Sequence, residues 1–185
     1  ANKYRFVFVP EGSPAAYRSE EVFDFPVGTV IAKTFTIQAD LRDPASSEDI
    51  IETRLLIHRK EGWRALPYIW NADKTEAVLT VAGGTQNVSW IDANGVEQST
   101  DYVIPNTNNC ANCHNNQDTL LPVGPKARSL NRDYAYDSGV ANQLDYWAEQ
   151  GILTGAPEDK DSIVTIPLWG DVTVADSGLH DVMHP

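Results

Sequence analysis

Both cysteines of this 185-residue chain fall within five consecutive positions, Cys110-Ala111-Asn112-Cys113-His114. Two thiols separated by two residues, with a histidine directly after the second, form the attachment pattern of c-type haem. The spacing has a chemical reason. One helical turn brings positions i and i+3 to the same side, so both sulfurs meet one edge of a porphyrin and add across its two vinyl groups as thioethers. The next residue then presents its imidazole to the iron as an axial ligand. Competing uses of the pattern fit poorly. A thioredoxin-type dithiol needs a βαβ setting and no trailing histidine. A structural zinc site needs about four donors, and the chain has no second cysteine pair. A Cys110–Cys113 disulfide closes a loop too short to support a fold.

The length fits one domain, or one domain with an appendage. Hydrophobic residues make up 42% of the chain and charged residues 22%, enough apolar mass for a core and too few charges for a disordered polymer. The formal net charge of −12 disfavours nucleic acid and anionic membrane as partners and would steer a basic redox protein towards the chain. No run is long and apolar enough to cross a bilayer as a helix. Covalent haem is attached after export in bacteria. The expectation is therefore periplasmic or extracellular placement, with a removed signal peptide or lipoprotein leader ahead of Ala1.

Seven runs rich in β-branched and aromatic residues precede residue 105: 4–9, 29–37, 50–59, 63–71, 76–82, 87–92 and 97–104. Lys60-Glu61-Gly62 and Asn94-Gly95 mark hairpin turns between them. This pattern predicts an antiparallel meander over 1–105. At Pro105 the character changes, and 106–185 reads as the haem-binding segment. It should hold a short helix over 109–116, loop over 118–133, and a helix over 138–150. In that second helix Ser138 would cap the start, Val140, Leu144 and Trp147 would share a face, and Gly151 would end it. The fold class expected is α+β, an antiparallel sheet followed by a haem-bearing, partly helical C-terminal section with an extended tail, one compact domain overall.

Several stretches carry a family resemblance: Phe25-Pro26-Val27-Gly28-Thr29-Val30 with Lys33-Thr34-Phe35, then Glu52-Thr53-Arg54-Leu55-Leu56, Gly62-Trp63, Tyr68-Ile69-Trp70-Asn71 and Thr75-Glu76-Ala77. Pro105-Asn106 before the cysteines, Gly124-Pro125-Lys126-Ala127-Arg128, Leu130-Asn131 and Asn142-Gln143-Leu144 complete the set. On these the chain resembles a family of exported bacterial c-type haem proteins of unassigned function. Many members of that family continue into a second CxxCH segment, which this sequence lacks. The resemblance thus implies either a one-haem variant or part of a longer multi-haem chain. A weaker topological likeness, through the Phe25-to-Thr29 stretch and Lys33, is to the β-sheet cytochromes c-prime and their hydroxylamine-oxidising relatives. That class can leave one iron face open to small ligands such as NO. A short motif does not by itself argue for a catalytic cross-link through Lys33.

With His114 as fifth ligand, the donor on the opposite iron face decides between roles. The tail His180-Asp181-Val182-Met183-His184 is dense in donors, and Met183 and His180 stand level as distal-ligand candidates, with His184 beside them. An alternative role for the same tail is to ligate the haem of a neighbouring subunit. His58, before a hairpin turn, reads better as a solvated turn histidine. Lys126 and Arg128 are candidates to pair with haem propionates. No Ser-His-Asp set, phosphate loop or carboxylate pair stands out, so no catalytic residue is assigned. The first functional reading is a monohaem electron-transfer cytochrome. The alternatives are a small-ligand haem protein binding NO or peroxide at an open distal site, and a subunit or homo-oligomer within a larger redox assembly.

Overall fold

A computed structural model describes residues 2–167 of the chain. In chain order the strands are β1 (Asn2–Phe8), β2 (Ala15–Ala16), β3 (Val30–Gln38), β4 (Glu48–Arg59), β5 (Gly62–Trp70), β6 (Ala77–Leu79), β7 (Gly84–Ile91), β8 (Glu97–Ile104), β9 (Asn115–Asn116), β10 (Thr119–Leu120), β11 (Asp133–Tyr136), β12 (Gly139–Asn142) and β13 (Leu153–Thr154). Three helices interrupt them: α1 (Thr107–Cys113), α2 (Ala127–Leu130) and α3 (Gln143–Glu149). The chain divides into two compact units, one of residues 1–10 and 26–122, the other of residues 11–25 and 123–185.

The first unit is built on a five-stranded antiparallel sheet in the order β1-β3-β4-β5-β6. Strand β3 is dense in β-branched residues, which suits a pleated ribbon packed on both sides. Register decides which side chains share a face. Lys33 lies opposite Arg54, and Arg54 opposite Pro67; Phe35 lies opposite Glu52, and Glu52 opposite Ile69. Side chains alternate along a strand, so these residues share one face, called here the inner face. A bulge between Phe35 and Thr36 leaves Ile51 as the extra residue on β4. Ile51 forms the core of the unit with Val88 and Ile104 of the β7–β8 hairpin, joined by Ile37, Ile69, Trp90 and Tyr102. The opposite face is open at its edges: Tyr4, Phe6, Phe8 and Leu79 are exposed, Phe6 at 63%.

Helix α1 also belongs to this unit and packs beside β5. Its entry is held tightly. The Thr107 N–H and hydroxyl both donate to the Val81 carbonyl, at 3.0 and 3.1 Å. Gly83 makes this approach feasible. Its φ is +72°, and a Cβ there would stand 2.5 Å from the Ile104 carbonyl oxygen and 2.8 Å from the Asn106 nitrogen.

In the second unit β2 and β13 pair in parallel and β11 and β12 form a hairpin. Ala15, Phe23, Ala127, Leu144, Leu153 and Ile163 are buried. Buried Asn131 organises the loops. Its amide NH2 donates to the carbonyls of Lys160 and Ile163 at 2.9 and 3.0 Å, and its own Oδ1 accepts from Asn142 at 2.9 Å.

The α+β expectation is corrected. Among the described residues strand predominates, in several sheets, and the helices are only 7, 4 and 7 residues long. Among the described residues no helical haem-bearing section follows the sheet; after α1 come the β9–β10 and β11–β12 pairs, two short helices, β13 and loop. The helix expected over 138–150 exists only as Gln143–Glu149. Asn142 adopts an extended conformation and caps that helix itself, its Oδ1 accepting from the Leu144 N–H at 2.9 Å. Ahead of it, Gly139 takes a φ of +123° in the β11–β12 turn. The spacing of Val140, Leu144 and Trp147 suggested one apolar face, but Val140 is 72% exposed on a strand. Among the described residues no helix is long and apolar enough to cross a membrane.

Candidate haem site

Helix α1 starts with a reciprocal cap made by two asparagines. Asn106 Oδ1 accepts from the Asn109 N–H at 2.8 Å, and Asn109 Oδ1 accepts from the Asn106 N–H at 3.2 Å. The arrangement is a capping box with Asn in place of the usual Ser and Glu. It sets the helix so that Cys110 is 8% exposed and Cys113 lies exposed one turn later. Neither cysteine is in a disulfide. Burial pushes the Cys110 thiol pKa up; the Arg54 cation opposes this and the Glu52 carboxylate adds to it.

His114 ends the helix, its N–H donating to the Cys110 carbonyl at 3.0 Å. The following residues fold straight back. Strands β9 and β10 pair around Gln117 and Asp118, whose φ values of 49° and 62° are those of a tight left-handed turn. This return brings Leu121 beside His114: the Leu121 N–H donates to the His114 carbonyl at 2.8 Å, and the Leu121 carbonyl lies 3.0 Å from His114 Nδ1. A carbonyl oxygen only accepts, so Nδ1 carries the proton and Nε2 keeps its lone pair. Burial lowers the His114 pKa; the bond to Leu121 opposes that, and the cations of Lys33 and Arg54 add to it. A neutral imidazole, oriented by a main-chain carbonyl and with Nε2 free to donate, is what a metal-ligating histidine requires.

The inner face of the sheet supplies the electrostatics around the motif. Glu52 is fully buried. Arg54 grips it with both arms of its fork, Nε to Oε2 at 2.8 Å and Nη2 to Oε1 at 2.5 Å, and the Tyr102 hydroxyl donates to Oε1 at 2.8 Å. The Arg54 guanidinium lies 4.3 Å from the Phe35 ring centroid, and Lys33 Nζ 4.9 Å from the same centroid. Burial, then the cations of Arg5, Lys3 and Arg54, pull the Lys33 pKa down to about 8. Burial and the Glu52 carboxylate push the Tyr102 pKa up.

The residues predicted from sequence are distributed as follows. Cys110, Cys113 and His114 come together on one helix end in the first unit. Lys126 and Arg128, predicted to meet haem propionates, lie in the second unit, at the start of α2 and within it. His58 stands on β4 opposite Trp63, and the two rings stack with centroids 4.7 Å apart. Met183, His180 and His184 lie outside the described residues. Sequence reasoning assigned no role to Glu52, Arg54, Phe35 or Tyr102. A signal was present: Glu52 and Arg54 are two apart in a run with strong strand character, so one face had to carry both charges.

The residues present fit a covalently held haem. Two free thiols stand one helical turn apart, followed by an imidazole whose Nδ1 is already tied to a carbonyl, leaving Nε2 as the donor. Among the described residues no three His, Cys, Asp or Glu side chains converge to hold a bare metal ion. A haem iron needs only one protein donor on a face, because the porphyrin supplies the equatorial four. Comparison with family models, with curated proteins and with solved structures returns no match.

Proposed function

We propose that this chain is a monohaem c-type cytochrome that passes electrons, with Cys110 and Cys113 as thioether anchors and His114 as the axial iron ligand. One observation carries the reading: an imidazole with Nδ1 bonded to the Leu121 carbonyl, directly after a helical turn bearing both cysteines of the chain. The bound group supplies one-electron iron chemistry. The protein's own contributions are distinct. The asparagine cap and the Thr107 anchor hold the turn that spaces the thiols. Leu121 fixes the imidazole's tautomer and strengthens its donor nitrogen. The net charge of −12 favours a basic redox partner, and thioether attachment implies assembly outside the cytoplasm. Met183 or His180 would complete the carrier by ligating the distal iron face.

The alternative reading is a small-ligand haem protein with an open distal face. Mass spectrometry of the exported protein tests the shared premise, expecting one haem added and its loss in a Cys110→Ser, Cys113→Ser variant. Absorption spectra then separate the two readings. A reduced low-spin spectrum indifferent to CO, altered by Met183→Ala or His180→Ala, supports the carrier. A high-spin spectrum that shifts with CO supports the open site.

A further inference from the structure

Three cations stand in one cross-strand row on the inner face of the first unit's sheet: Arg5 on β1, opposite Lys33 on β3, opposite Arg54 on β4. Like charges directly opposite one another on a sheet repel, and this row occurs in a chain of net charge −12. Glu52, the one carboxylate paired to the row, is already saturated by Arg54 and Tyr102. A guanidinium has five N–H donors. Two of Arg54's point at Glu52, and the guanidinium also bonds the Tyr102 hydroxyl. Lys33 Nζ lies over the Phe35 ring and has no hydrogen-bond or ion-pair partner among the described residues. Both side chains are only partly buried, so their remaining N–H groups are open to an incoming anion. Glu52 and the Phe35 ring hold the Arg54 head, the same ring holds Lys33 Nζ, and β5, which pairs with Arg54's strand, is the strand α1 packs beside.

We propose that Lys33 and Arg54 form an anion-binding site beside the attachment helix, built to take a carboxylate-type oxyanion. Two sources share that chemistry: the carboxylate arms of the attached haem, and a free small oxyanion such as nitrite entering from solvent. The first source rests on the haem reading above; the second does not.

The test uses the exported, full-length protein and three variants. Lys33→Gln removes a cation that holds no ion pair. Arg54→Lys keeps a charge against Glu52 but loses the fork. Arg64→Gln, exposed on the sheet's other face, is the control for bulk charge. Mass spectrometry first reports whether haem is attached, which judges the haem reading separately. Nitrite is then titrated by thermal melting and, where haem is present, by absorption, and the reduction potential of each holoprotein is measured. A free oxyanion predicts a saturable response in the wild type, weakened about tenfold or more in Lys33→Gln and Arg54→Lys but not in Arg64→Gln. Haem carboxylates predict no nitrite response, with a potential that falls in Lys33→Gln and stays put in Arg64→Gln. The proposal is overturned if nitrite gives no saturable response and Lys33→Gln matches Arg64→Gln in potential. Should the protein carry no haem, absence of a saturable melting shift with nitrite overturns it alone.

Discussion

Each unit buries a polar hub, and the two hubs differ in how completely they are satisfied. In the second unit the hub is neutral. The Asn131 side chain meets two carbonyls and a hydroxyl through its NH2, and its oxygen accepts from Asn142, which in turn caps α3. Little of its hydrogen-bonding capacity is left over, so its work is to pin loops. In the first unit the hub is ionic. Glu52 accepts from Arg54 and Tyr102, Arg54 also meets the Tyr102 hydroxyl and the Phe35 ring, and Lys33 meets only that ring among the described residues. A closed network of neutral amides stabilises a fold; a network with more cations than carboxylates keeps the capacity to take an anion.

The comparison can be broken by substitution. The largest effect is expected for Glu52→Gln. It leaves Arg54, whose side chain is 30% exposed, facing a neutral amide in a buried setting. Breaking a buried pair this way costs several kcal/mol, and the partial exposure of Arg54 softens it to about 3 kcal/mol. Urea denaturation should record the loss, with Tyr102→Phe showing a smaller one. Asn131→Ala strands two carbonyls and the Asn142 amide at a cost of about 2 kcal/mol. If the second hub is purely structural, the absorption spectrum of the holoprotein should match the wild type in this variant.

Gly83→Ala sharpens the contrast from a different side, because it strikes the backbone under α1. The positive φ and the close Ile104 carbonyl predict a loss of about 2 kcal/mol by thermal melting, and a lower yield of covalently attached haem. The smallest effect has the opposite sign. Lys33→Met removes a partly buried cation that lacks an ion-pair partner among the described residues, and should stabilise the protein by about 1 kcal/mol at neutral pH. The pH dependence follows from the pKa of Lys33, about 8 when folded against 10.5 in the open chain. Between those values the unfolded chain holds more protons, so wild-type stability should rise with pH through that window. Denaturation curves at pH 7.5 and pH 10 should show the advantage of Lys33→Met shrinking.

Local features of the sequence carried through where the chemistry is itself local. The Cys110-to-His114 spacing depends on a single helical turn, and that turn forms at Thr107–Cys113. Hairpin positions such as Gly62, where β4 meets β5, are likewise set by neighbouring residues. The helix start at residue 138 misled because Ser138 and Val140 imitate a capped amphipathic turn. Their Gly139 neighbour instead serves a hairpin, and Asn142 outcompetes Ser138 as the cap. Lys126 and Arg128 stood out because they follow the cysteines along the chain; they lie in the second unit, at the start of α2 and within it.

From the sequence alone came the expectation of covalent chemistry, because the two cysteines and the histidine that would hold a haem fall within five positions and need only one helical turn to meet it. Tertiary structure decided the surroundings. Only the β3–β4 register sets Lys33 beside Arg54, only the β9–β10 return carries the Leu121 carbonyl to His114, and only the hairpin packing brings Tyr102 to Glu52. Those contacts join residues up to 50 positions apart, and no local preference encodes a pairing across that distance; it is chosen by burying Ile51, Val88 and Ile104 together.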